Sequence, residues 1–138
     1  MDGCVFCAIV AGDAPAEVVH RDDVAVAFLD RTPLFAGHVL VVPTVHVVTL
    51  PELVEVGPFF ERVRLLATAV PQAMGAQGTF VANNNIVSQS VAHLHVHVVP
   101  RWRGDSNFMT TVANTRTLPE AIGDSAAKLR AAWDPNRE

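Results

Sequence analysis

The sequence predicts an α+β domain on a largely antiparallel sheet of about five strands, with one long helix and a C-terminal helix. Three observations carry this: short runs rich in β-branched residues and closed by Gly, Asp, Asn or Pro; one long helical stretch between the third and fourth runs; and a last amphipathic stretch near the C-terminus. At 138 residues the chain is long enough for one hydrophobic core and too short for two ordinary domains, so a single domain over 1–138 is expected.

The elements follow in order. "VFCAIVAGDAP" reads as a short helix ended by Gly-Asp and Pro. "AEVVHRDDVAVAFLD" divides into two strands around Arg21-Asp22-Asp23, whose acidic pair suits a turn. "HVLVVP" is a third strand stopped by Pro43. Phe59, Val63, Leu66 and Val70 recur at helical spacing in "PFFERVRLLATAVPQAMGAQG", which predicts a helix disturbed near Pro71 and ended by Gly75. "GTFVANN" and "LHVHVVPR" are the fourth and fifth strands, and a helix from about Pro119 closes the chain. Sheet edges left open by this arrangement make a homodimer the expected assembly.

Composition narrows the function classes. Half the residues are apolar, 17% are charged, and no apolar stretch is long enough to span a membrane. The N-terminus lacks the basic start and apolar run of a secretory signal, so a cytoplasmic location is expected. With a net charge of −4 and no run of Lys or Arg, the chain is a poor partner for polymeric nucleic acid, although imidazoles and backbone N–H groups can still hold a small anion. Cys4 and Cys7 are the only cysteines, and their spacing leaves a metal or redox role.

The chemistry concentrates in "HLHVHVVPR". Strand periodicity places His93, His95 and His97 on one face and sends Leu94, Val96 and Val98 into the core on the other. Alternating imidazoles suit a zinc-dependent hydrolase, and they equally suit a nucleophile for phosphorus flanked by groups that neutralise phosphate oxygens. The upstream "NNNIVSQSVA" has no carboxylate to serve as a partner of catalytic zinc, which favours the phosphorus reading. A surface strand that carries histidines without chemistry is the third reading.

"HLHVHVV" resembles the signature of the histidine triad superfamily of nucleotidyl hydrolases and transferases. The likeness extends in order through "CVFCAIVAGDAPAEVVHRDDVAVAFLD", "FAGHVLVVPTVH" and "SQSVAHLHVHVVPR", covering about residues 4–103 and leaving 104–138 as a C-terminal extension. The resemblance implies that His95 attacks the α-phosphorus of an adenine nucleotide and forms a nucleotidyl-histidine that water hydrolyses. It implies that His97 contacts the α-phosphate, that His38 is the family's fourth histidine, and that Gln89 and Ser90 hold the phosphate and leaving group. Ser88 stands where the family usually has Gly. Phe6, Ile9 and Phe28 match residues that sandwich the base, Asp30 one that accepts from the ribose hydroxyls, and Asn84 one that reaches ribose or phosphate.

The C-x-x-C pair is half of a tetrahedral zinc site. Bacterial members that carry it complete the site with histidines matching His46 and His93, which implies a structural zinc and no organic cofactor. "PRWRGDSNF" is closer to branches acting on dinucleoside polyphosphates, including phosphorylases, than to phosphoramidases. Arg101 and Arg103 are candidates there for distal phosphates or for plain strand-end charges, with Trp102 packing. A diadenosine polyphosphate such as the tetraphosphate is the favoured substrate, with an adenosine phosphoramidate, or nucleotide binding with little turnover, as alternatives.

Overall fold

The computed structural model describes residues 3–105 and 120–136 and divides into two units, 1–105 and 106–138. The first unit runs α1 (Val5–Ala11), β1 (Val18–Arg21), β2 (Ala25–Leu29), β3 (Val39–Pro43), a 3-10 turn (Leu50–Glu52), α2 (Val56–Met74), β4 (Gly78–Ala82) and β5 (Val96–Arg101). In the second, α3 (Ile122–Ala132) supplies the expected C-terminal helix; Pro119, its expected start, and Asn107 and Phe108 of "GDSNF" lie outside the described residues. Among the described residues no helix is long and apolar enough to cross a membrane.

The five strands form one sheet in the order β1-β2-β3-β5-β4, antiparallel throughout. The turn between β1 and β2 is built on Asp22. Its Oδ1 accepts from the N–H groups of Val24 and Ala25, both at 2.8 Å, and its Oδ2 from His20 Nε2 at 2.7 Å and Arg62 Nε at 3.0 Å. Burial pushes the carboxyl up, but those four bonds outweigh it and hold Asp22 well below the usual carboxylate range.

Both faces of the sheet are covered at its centre. Ala25, Ala27, Val39, Val41, Leu94, Val96 and Val98 pack against Phe59, Val63 and Val70 of α2, with Leu66 half-buried beside them. Val26, Phe28, Leu40 and Val42, the alternate residues of β2 and β3, pack against Phe6 and Ile9 of α1 on the other face. Full burial of a side chain such as Phe59 stabilises the fold by about 2–3 kcal/mol.

Two expectations change. The long helix ends at Gly75 as expected, where a left-handed conformation returns the glycine N–H to the Pro71 carbonyl, but it runs unbroken through Pro71 to Met74 although the proline has no N–H of its own to bond the preceding turn. The fifth strand joins the ladder only at Val96, so His93 and His95 precede it. Pro43, which would face this segment, has no N–H, and its carbonyl is taken by the His93 ring at 3.0 Å. The alternation survives nonetheless: Leu94, Val96 and Val98 enter the α2-side core, while the imidazoles face α1.

Candidate active site and metal centre

Four ligand groups converge where α1 meets the approach to β5. Cys4 caps α1, accepting the Cys7 N–H on its Sγ at 3.3 Å. Cys7 Sγ lies 3.1 Å from His46 Nδ1 and 3.4 Å from His93 Nδ1; Cys4 Sγ lies 3.5 Å from His93 Nδ1, and the two Nδ1 atoms are 3.2 Å apart. Ordinary zinc bond lengths in a tetrahedron give S···N edges of about 3.6 Å and N···N edges of about 3.3 Å. His93 Nε2 donates to Pro43 O, which turns the Nδ1 lone pair toward the thiols, and burial favours the neutral ring. Two sulfurs and two imidazole nitrogens at these separations fit a closed structural zinc centre, with Cys4, Cys7, His46 and His93 as ligands.

Beside it the remaining imidazoles form a row. The edge of Phe6 meets the His95 ring at 5.1 Å between centroids, and successive centroid distances from His95 to His97 and from His97 to His38 are 5.1 Å each. Hydrogen bonds fix the tautomers. His95 Nδ1 lies 2.9 Å from the His93 carbonyl, which only accepts, so the proton sits on Nδ1 and Nε2 keeps its lone pair. Leu34 N–H donates to His38 Nδ1 at 3.1 Å, so neutral His38 carries its proton on Nε2. That nitrogen is 2.9 Å from His97 Nδ1 and 3.5 Å from Asp30 Oδ2. His97 therefore accepts on Nδ1 and presents Nε2–H. Burial and the nearby His95 and His38 push the His97 pKa down to about 4 against the opposing pull of Asp30, and burial lowers His38 as well.

Asp30, His38 and His97 also gather closely enough to hold a cation. The Leu34 N–H argues against that use: it occupies His38 Nδ1 and keeps the proton on Nε2, the atom a metal would need. The group reads as a hydrogen-bonded chain.

A cleft of about 660 Å³ opens between α1 and β2. Phe6, Ile9, Phe28, Asp30 and Ser90 all line it, and Leu40 and Val91 add apolar wall. The histidines themselves do not line this cleft; two residues of its lining touch the row, Phe6 against His95 and Asp30 at 3.5 Å from His38. Two expected site residues lie elsewhere. Gln89 accepts from Ile86 N–H at 2.9 Å and donates to Val48 O at 2.6 Å, and exposed Asn84 donates to Ser88 O at 3.2 Å. Both tie the 83–91 loop to itself or to the 48–50 segment. Ser88 adopts a φ of 62°, the left-handed region in which glycine sits at no cost.

The HIT domain profile matches residues 11–104. The chain belongs to the HIT family. An uncharacterised HIT-like protein of Methanocaldococcus jannaschii is 39% identical over 77% of this chain and 84% of its own length. A zinc-bound histidine triad family protein from Mycobacterium smegmatis has a solved structure that superposes with a TM-score of 0.69 at 36% identity, covering 94% of this chain and 92% of that one. An AP-4-A phosphorylase of Mycobacterium tuberculosis is 30% identical over 88% of this chain and 65% of its own length.

Within this HIT domain the groups that sequence reasoning missed are mostly backbone: the Leu34 N–H and the Pro43 carbonyl. No residue type marks them. Arg101 and Trp102 are bound up with Asp105 and Gly75 instead of facing the cleft: Arg101 makes a two-pronged pair with Asp105 at 2.6 and 2.7 Å, and Trp102 Nε1 donates to Gly75 O at 3.0 Å.

Proposed function

We propose that this HIT-family chain is a nucleotidyl hydrolase or transferase that cleaves the α-phosphate bond of an adenine nucleotide through a covalent intermediate on His95. The observation that carries this reading is the 2.9 Å bond from His95 Nδ1–H to the His93 carbonyl, which leaves the Nε2 lone pair as a nucleophile beside a nucleoside-sized cleft. Phe6, Ile9 and Phe28 take the base, Asp30 the ribose hydroxyls, and Ser90 the phosphate at the cleft wall. As Nε2 forms the P–N bond, the P–O bond to the leaving group breaks, and His97 Nε2–H meets the charge that builds on the phosphoryl oxygen. Water, or inorganic phosphate as acceptor, then attacks phosphorus and frees His95.

Dinucleoside polyphosphates are the favoured substrates, supported by the "RW.GD" segment and by the likeness to an AP-4-A phosphorylase. Zinc on Cys4, Cys7, His46 and His93 serves as a structural tie between α1 and the active-site segment. The two edge strands, β1 and β4, which no further strand pairs among the described residues, support the expected homodimer. One observation favours a nucleotide-binding module with little turnover: the Gln89 amide is spent on Ile86 and Val48, so it offers nothing to a leaving group as placed.

The test is turnover of diadenosine tri- and tetraphosphate, ADP and an adenosine phosphoramidate, with and without added phosphate. One substrate class should turn over, with activity falling on the order of 10³-fold or more in folded His95→Asn. Phosphate dependence separates phosphorylase from hydrolase. AMP binding with no turnover of any substrate would move the reading to the binding module.

A further inference from the structure

The loop from Arg31 to Gly37 does much for the histidine row while holding little of its own. It supplies the Leu34 N–H on His38 Nδ1 and the Phe35 carbonyl that accepts His38 N–H at 3.1 Å. Five of its seven residues are exposed; only Phe35 and Gly37 are partly covered. Among the described residues, both meet a platform at the end of α2. Gly37, at a φ of 92°, lies so close to Met74 that an added Cβ would fall 2.6 Å from its Cγ, and Phe35 meets the Trp102 ring edge-on at 5.9 Å.

Trp102 is itself tied down from two sides. Its Nε1–H goes to Gly75 O at 3.0 Å, and its backbone N–H goes to Asp105 Oδ2 at 3.0 Å, the same carboxylate that holds Arg101. Arg103 N–H closes the turn on Gln77 Oε1 at 2.9 Å. So "RWRGD" builds a bracket that presents one indole. Arg101 stands four residues beyond His97 along the strand, about 13 Å away at strand rise, too far to share the phosphate that His97 would touch.

We propose that Trp102 is a positioning residue for the catalytic histidines. Backed by Gly75 and Asp105, the indole holds Phe35, Phe35 holds the loop, and the loop keeps the Leu34 N–H on His38 Nδ1, so that His97 presents Nε2–H to the phosphoryl group. This rests on the nucleotidyl-transfer reading for its catalytic consequence, while the tautomer of His97 is a property of the free protein.

The experiment compares Trp102→Ala, Trp102→Phe, Phe35→Ala and the Trp102→Ala/Phe35→Ala double variant, each first shown folded by its thermal melt. Nitrogen-15 NMR of the imidazoles reads the His97 tautomer without any substrate. Steady-state kinetics on diadenosine tetraphosphate then separates kcat from KM. In Trp102→Ala, His97 should lose its single Nε2–H form, and kcat should fall on the order of tenfold with KM much less changed. Trp102→Phe, which keeps a ring against Phe35, should recover most of both. The double variant should be no worse than the worse single one, because the effect passes through Phe35. A folded Trp102→Ala with the wild-type imidazole spectrum overturns the proposal, as do losses that simply add in the double variant. An absence of turnover in the wild type would count against the nucleotidyl-transfer reading alone, and the NMR comparison would still decide the role of Trp102.

Discussion

His93 concentrates three constraints in one residue: Nδ1 faces the thiol cluster, Nε2 donates to Pro43 O, and the backbone carbonyl holds the His95 ring. On the proposed reading the side chain serves the metal centre and the main chain the nucleophile. His97 carries a different signature, a pKa pushed down to about 4 by burial and neighbouring imidazoles. The unfolded chain titrates this group near 6.5, so between those values it binds a proton that the folded chain refuses. The stability contributed by neutral His97 is full above about pH 6.5 and is lost as pH falls through about 4. Urea unfolding at pH 7 and pH 5 should show a weaker fold at pH 5, and His97→Asn should reduce that difference; the same pH 5 loss in wild type and His97→Asn would count against a buried neutral ring. The triad and the cysteines were plain in the sequence because residue type and spacing announce them. Their tautomers were not, since the deciding partners are main-chain groups that any residue at positions 34 and 93 would supply.

At the level of elements, α1 is the piece whose stability must come from outside. Seven residues are too few for a helix to persist alone. Phe6 and Ile9 anchor it to the sheet, the Arg21 guanidinium bonds the Ile9 carbonyl at 3.1 Å, and Cys4 and Cys7 tie it to His46 and His93. Because Phe6 both lines the cleft and touches His95, loosening α1 should reach the cleft proposed for the nucleotide. Removing metal with a chelator, or Cys7→Ser, should speed amide hydrogen exchange in α1 and weaken AMP binding, while β2 and β3 stay protected. Unchanged exchange in α1 after verified metal removal would contradict the structural tie. Element types and order were readable because strands and helices differ in apolar period. Boundaries were less so: the fifth strand starts at Val96 because of where Pro43 falls across from it, a fact of register that the run "HLHVHVVPR" does not contain. The end of the long helix was readable from Gly75, while the unbroken passage through Pro71 was not.

Across the first unit, the sheet divides its labour by face. Alternate residues of β2 and β3 feed the α2 core on one side and the α1 side on the other, which is why both strands read as continuous apolar runs without polar alternation. The segment from His93 to His97 breaks that pattern, with histidine at alternate positions opposite Leu94 and Val96. That asymmetry made the histidine face legible, and Phe6, Ile9, Phe28, Asp30 and Ser90 all line the cleft between α1 and β2. Gln89 and Asn84 do not line it: their amides bond Ile86 N–H, Val48 O and Ser88 O. The central claim is the covalent step on His95. It is tested most directly by mixing the protein with diadenosine tetraphosphate, quenching within milliseconds at alkaline pH, and measuring intact and peptide masses. An adenylyl adduct on the peptide containing His95, absent in His95→Asn, is the predicted result; turnover that persists in His95→Asn with no adduct on the wild type would contradict the account.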